Sequence, residues 1–259
     1  MLERFVRPAV RRWPVALALS AAPLAAWPQA TVKNDGQWRY AFGAGASRSS
    51  GNSNVASLNI TGEAVRATGI DKLLFAGRGV YARTEGITTT ENTQLGTQYN
   101  RDLSSEWFAF GRADALRDRP ANIASRFSVH GGPGWHLIRG ERLSWDISAG
   151  VGYTQDRYIA PAEVGGAMRS EYGHTELVLA EESTHKLWDT TDFRQKLQFF
   201  PNLQKSGEFR AAFDANIAVA MNAALSLTAG LSYRYDSDPG VGHGPRDLLF
   251  VTGVSVKLD

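Results

Sequence analysis

The residues best suited to acid–base or metal chemistry in this chain are five histidines, His130, His136, His174, His185 and His243. His130 and His136 stand six positions apart, so an extended strand would carry both on one face. A metal site needs a third ligand at a compatible spacing, and no H-E-x-x-H pair supplies one. Hydrogen-bonding histidines are therefore the expectation, and no cofactor or metal is implied. There is no cysteine, which removes thiolate nucleophiles, thiolate ligands and disulfides together. No G-x-S-x-G elbow is present. The run Gly131–Gly134, "GGPG", lacks the lysine and helix of a phosphate loop and reads as a strand kink. "DSDPG" lacks the remaining calcium-loop ligands and reads as a turn. Catalysis would need a Ser-His or Asp-His set assembled in space, and no linear motif announces one.

Charged residues form the more informative set, because they recur at alternate positions within otherwise apolar segments. Arg39, Glu63, Arg78, Arg112, Asp114, Arg126, Asp146, Glu176, Arg194, Lys196, Arg210, Asp214, Arg234 and Lys257, with His130, all fall on the polar side of such segments. Nine of these are Arg or Lys and five are Asp or Glu. Gathered inside one structure, they would have to be paired or hydrated. The chemistry they suggest is passage or retention of small polar solutes, with a mild preference for anions that Arg112→Gln and Arg234→Gln should weaken.

The elements that must hold them are strands. "LSLTAGLSYRY" alternates Leu225, Leu227, Ala229, Leu231, Tyr233 and Tyr235 with polar residues or glycine, the period of a sheet with one oily face. The pattern recurs in twelve segments, near 37–47, 54–65, 72–83, 93–101, 106–115, 125–137, 142–154, 174–187, 192–200, 208–219, 224–235 and 247–258. Segments of about ten residues with a dyad period, separated by turns, are the signature of a transmembrane barrel. The fold expected is all-β, a closed antiparallel transmembrane β-barrel of about twelve strands. Parity puts Phe108 and Phe110 inside and Glu181 outside, against their chemistry.

Composition agrees. Mean hydropathy is −0.27, and no run of about 18 apolar residues offers a membrane helix. Residues 1–30 read as a signal peptide: Arg4, Arg7, Arg11 and Arg12 precede a short apolar stretch, with cleavage after Ala26 or Ala30. Four arginines against Glu3 leave +2 − 3 = −1 for residues 31–259. The exported barrel then has no basic excess, and nucleic acid is not an expected partner.

Connections and aromatics sort by side. Short links such as "IRGE" and "AMNA" alternate with longer ones such as "QDRYIAPAEVGGAMRSEYG", as in outer-membrane barrels, whose even strand count returns both termini to the periplasm. Trp38, Trp107, Trp135, Trp145 and Trp188 mark the short-link side, and Tyr81, Tyr153, Tyr233 and Tyr235 the other. These are expected membrane-interface belts. The partners implied are outer-membrane lipid and lipopolysaccharide, with the barrel-assembly machinery and periplasmic chaperones during biogenesis.

"SGNSNVASLNITGEA" (Ser50–Ala64), "FGRADALRDRPANIASRFSVHGGPGWHL" (Phe110–Leu137) and "YRYDSDPGVGHGPRDLLFVTGVSVKL" (Tyr233–Leu258) resemble the outer-membrane family numbered 481 among domains of unknown function. Its members are described as salt-induced outer-membrane proteins, and it has no established catalytic residues to carry over. The resemblance implies an outer-membrane barrel with a link to salt stress. The function expected is a non-enzymatic structural or permeability barrel, a narrow channel for small polar or anionic solutes. The alternatives are an outer-membrane lipase or protease, and a soluble periplasmic barrel holding an apolar ligand.

Overall fold

The computed structural model describes residues 30–49, 55–239 and 244–258. The expected signal peptide apart from Ala30, the turn at 50–54 and His243 lie outside the described residues. Twelve strands run in order: β1 (Trp38–Ser49), β2 (Val55–Ala67), β3 (Asp71–Thr84), β4 (Ile87–Asp102), β5 (Trp107–Asp118), β6 (Ile123–Arg139), β7 (Leu143–Val164), β8 (Ala167–Trp188), β9 (Thr191–Pro201), β10 (Phe209–Ala220), β11 (Leu225–Asp236) and β12 (Arg246–Leu258). Each pairs antiparallel with its sequence neighbours, and β1 pairs with β12 from Tyr40↔Leu258 to Ala44↔Val254. That last ladder closes the barrel and removes the two edges an open sheet would leave unpaired.

The period-two alternation decides which way each strand faces. Phe42, Leu58, Ile60, Leu95, Phe127, Val129, Val151, Leu197, Leu227 and Phe250 are exposed on the outer surface. Their strand neighbours Ala41, Asn59, Thr61, Ser128, Gln198, Ser226 and Thr228 are buried within the barrel. Oily residues outside and polar residues inside is the inverse of a soluble ligand-binding barrel, and a continuous exposed apolar belt of this kind needs an apolar surrounding.

Strands extend past the alternating segments, chiefly at the end away from the tryptophans. The expected long loop after residue 154 is instead a continuation of β7 and β8 into a two-stranded arm. A two-residue turn at Gly165 and Gly166, with φ of 59° and 75°, closes it. Glu85 and Gly86 close β3 and β4 in the same way, with φ of 51° and 79°. Positive φ at both central residues matches the twist of paired strands. Polar, threonine-rich sequence can therefore continue a ladder in which oily alternation has ceased.

Among the described residues, small apolar clusters sit in the bore. Phe108, Phe110 and Val178 pack with Phe200. Ala30, Ala41 and Val65 pack with Leu74, so the segment before β1 turns back into the barrel at the tryptophan end. The inward phenylalanines are accommodated by glycine: a Cβ on Gly134 would lie 2.1 Å from Phe108 Cζ. "GGPG" thus makes room for a ring. The register against β7 is the same at Gly131↔Val151 and at Gly134↔Ser148, without a pair at Gly132 or Pro133 between them, and the register shifts fall elsewhere, at Ile123/Ser125 and His136/Ile138.

Candidate functional site

The bore contains a cavity of about 560 Å³. Among the described residues its wall carries seven cations, Arg78, Arg112, Arg126, Arg194, Lys196, Arg210 and Arg234. Against them stand eight carboxylates: Glu63, Asp114, Asp118, Glu182, Asp214, Asp236, Asp238 and Asp247. Alternation explains the placement, since each strand that sets a large apolar residue outside leaves its intervening positions inside.

The charges are arranged as neighbouring pairs. Arg112 donates Nε and Nη2 to Asp114 at 2.6 and 2.8 Å, from two positions away on β5. Arg126 binds Asp156 through two bonds of 2.5 and 2.6 Å across the β6–β7 ladder. Arg234 reaches both oxygens of Asp214 at 2.9 Å, and Ser232 donates to the same carboxylate. Two-point geometry of this kind fixes a guanidinium more firmly than a single contact. Lys196 Nζ lies 3.1 Å from Glu182, and Arg194 Nη1 lies 3.3 Å from Glu63.

The deepest carboxylate is Glu176, with no solvent exposure. Arg210 Nη2 donates to its two oxygens, and Thr154 Oγ1 donates to Oε1 at 2.6 Å. His130 Nε2 lies 2.9 Å from Oε1 and His174 Nε2 lies 3.3 Å from Oε2. The Arg210 guanidinium also covers the Phe200 ring at 5.3 Å. Every oxygen of Glu176 is thereby engaged, which locks the group in place. Ser128 Oγ is bonded to Thr154 Oγ1 at 2.7 Å. His136 belongs elsewhere, between Asp146 at 2.7 Å and Asp102 at 3.2 Å. The two histidines of β6 therefore serve different carboxylates and do not form one ligand pair.

Of the remaining inward residues, Arg39 grips Asp35 through bonds of 2.8 and 2.6 Å, and Lys257 stands opposite Ala41 in the β1–β12 ladder. Outside the strands, the Arg39 hydrogen bond and the Gln37 N–H hold the Asp35 carboxyl well below the usual carboxylate range. In the β9–β10 loop the Glu208 carboxylate, bonded to the Lys205 ammonium, pushes that lysine up. Trp38, Trp107, Trp135, Trp145 and Trp188 are all exposed on the outer surface, and Trp107 stacks on Trp135 at 5.1 Å. Tyr81 and Tyr153 are exposed there too, and Tyr233 and Tyr235 share the outward parity of exposed Leu227.

The balance of charge differs from the sequence expectation of nine cations against five acids. Asp118, Asp156, Glu182 and Asp236 also point inward and remove the basic excess. Asp118, Asp156 and Asp236 lie beyond the ends assigned to their strands from alternation alone. Glu182 keeps the parity of Glu176 and was legible in the pattern. Arg210 is more than one inward charge among others, because its partner Glu176 is fully buried. Glu181 does face outward, where Gln195 Nε2 donates to it at 3.3 Å, one outward position from the Trp145↔Ser183 pair.

No curated protein matches this sequence. Among solved structures, the chain is similar to the NanC porin at 12% identity, covering 85% of this chain and 97% of that one, with a TM-score of 0.44. It is similar to the translocator domain of autotransporter NalP from Neisseria meningitidis at 10% identity, covering 85% and 86%, with a TM-score of 0.44. A third is the KdgM porin in complex with disordered oligogalacturonate, at 7% identity, covering 85% and 96%, with a TM-score of 0.37. The family model "Protein of unknown function, DUF481" matches residues 42–257, nearly the whole barrel, and the chain belongs to that family.

Proposed function

We propose that this protein is a non-enzymatic barrel of the outer membrane that provides a narrow polar pathway for small solutes. The observation that carries the proposal is the polarity of the closed sheet: an exposed apolar exterior around a charged cavity of about 560 Å³. Tryptophans on the outer surface at one end supply an interface belt, with the opposite, tyrosine-bearing end facing outward from the cell. Both termini then lie in the periplasm, where a cleaved leader would have delivered the chain. Lipid and lipopolysaccharide contact the exterior, and the barrel-assembly machinery with its periplasmic chaperones inserts it. The resemblance to salt-induced proteins adds expression under raised salt to the same proposal.

Seven cations against eight carboxylates favour neither sign of ion strongly. The solutes proposed are therefore small and polar, with no anion preference from net charge. Purified protein should show heat-modifiable migration, require detergent for extraction and give small, regular conductance steps in planar bilayers. Insertion without any conductance would leave a structural barrel and end the pathway proposal.

A further inference from the structure

The cavity does not continue evenly to the tryptophan end. Glu63, Arg194, Lys196 and Gln98 line its deep part, whereas the inward Arg39, Ala41, Val65 and Lys257 lie beyond it. At that level side chains cross the bore. Glu63 is on β2 and Arg194 on β9, separated on the ring by β1, β12, β11 and β10 one way and by β3 to β8 the other. Their 3.3 Å contact joins nearly opposite walls. In the chain that still carries its leader, the second oxygen of Glu63 accepts the Ala30 N–H at 3.0 Å. One inward position along β9, Lys196 reaches Gln98 of β4 at 3.2 Å, again across the bore. Phe108, Phe110 and Val178 fill the β5–β8 side with apolar surface. The polar part of the floor is left to the strip spanned by Glu63 and Arg194.

We propose that the Glu63–Arg194 ion pair is the constriction that sets which ions cross the lumen; this rests on the pathway proposed above. An ion passing this level must slip beside or part the two side chains. Paired, they present little net charge; singly, each presents a full charge at the narrowest point, where selectivity is decided. The two single substitutions should therefore act in opposite directions, which a merely structural role would not produce.

The test is conductance and reversal potential in planar bilayers under a potassium chloride gradient, using the exported, leader-cleaved protein, whose folding is checked by heat-modifiable migration. Glu63→Gln should shift the reversal potential toward anion selectivity, and Arg194→Gln toward cation selectivity. The double Gln variant should conduct more than the native protein with little selectivity. Exchanging the charges, Glu63→Arg with Arg194→Glu, should return both readings toward native values. Currents whose selectivity ignores both single substitutions, or moves the same way in both, overturn the constriction and leave the pathway standing. Silence in the native protein and in every folded variant overturns the pathway, and the constriction with it.

Discussion

Arg210 donates one nitrogen, Nη2, to both carboxylate oxygens of Glu176, at 2.7 and 2.8 Å, from β10 to β8 with β9 between them. Glu176 is fully buried, so the pair ties β8 to β10 across β9 at a carboxylate shielded from solvent. Breaking such a pair from one side strands a charge, at a cost of about 3–5 kcal/mol. Arg210→Ala should therefore lower the midpoint of urea unfolding, followed by heat-modifiable migration. Replacing Arg210 and Glu176 together by methionine should cost less than the single alanine change. Equal or greater loss in the double variant would show that the hydrogen bonds, and not the stranded charge, dominate.

Phe213 pairs with Leu197 and Tyr233 on the outer surface. An arginine there would face hydrocarbon, costing roughly 2–4 kcal/mol near the midplane. Phe213→Arg should reduce the folded, membrane-inserted fraction. Gln94→Ala, on the cavity wall, should change stability by no more than about 0.5 kcal/mol, as for positions with no special feature. Equal loss in both would mean that the two faces share one environment.

Gly134 lies beneath the Phe108 ring. Gly134→Val should severely impair folding, because the added carbons must displace that ring or the β5–β6 ladder. Adding Phe108→Ala should recover much of the folded yield, since contacting sites couple and their effects do not add. No recovery would show that something other than the Phe108 ring excludes the larger side chain.

The turn at Gly165 and Gly166 tips the β7–β8 arm, and Gly140 lies in a short link at the tryptophan end. With no native cysteine to compete, Gly166→Cys in intact cells should react with an impermeant thiol reagent. Gly140→Cys should stay unlabelled until the outer membrane is opened. The opposite result would invert the proposed orientation.

Alternation by itself determined all twelve strands and the facing of their side chains, because in an extended chain orientation is a local property with period two. Phe108, Phe110 and Glu181 show its strength: each stands where parity puts it, against its own polarity. Strand ends were not local in that sense. β7 and β8 run on to Val164 and from Ala167 because each supplies the other's backbone partners, a condition invisible in either segment alone. The pairing of charges was less legible still. Glu63 and Arg194 are 131 positions apart, and nothing in their neighbours' chemistry links them. Closure of β1 on β12 brings β2 opposite β9, and only then does an acidic residue on one wall meet a basic one on the other. Sequence set which groups enter the bore; the circumference of the barrel decided which of them meet across it.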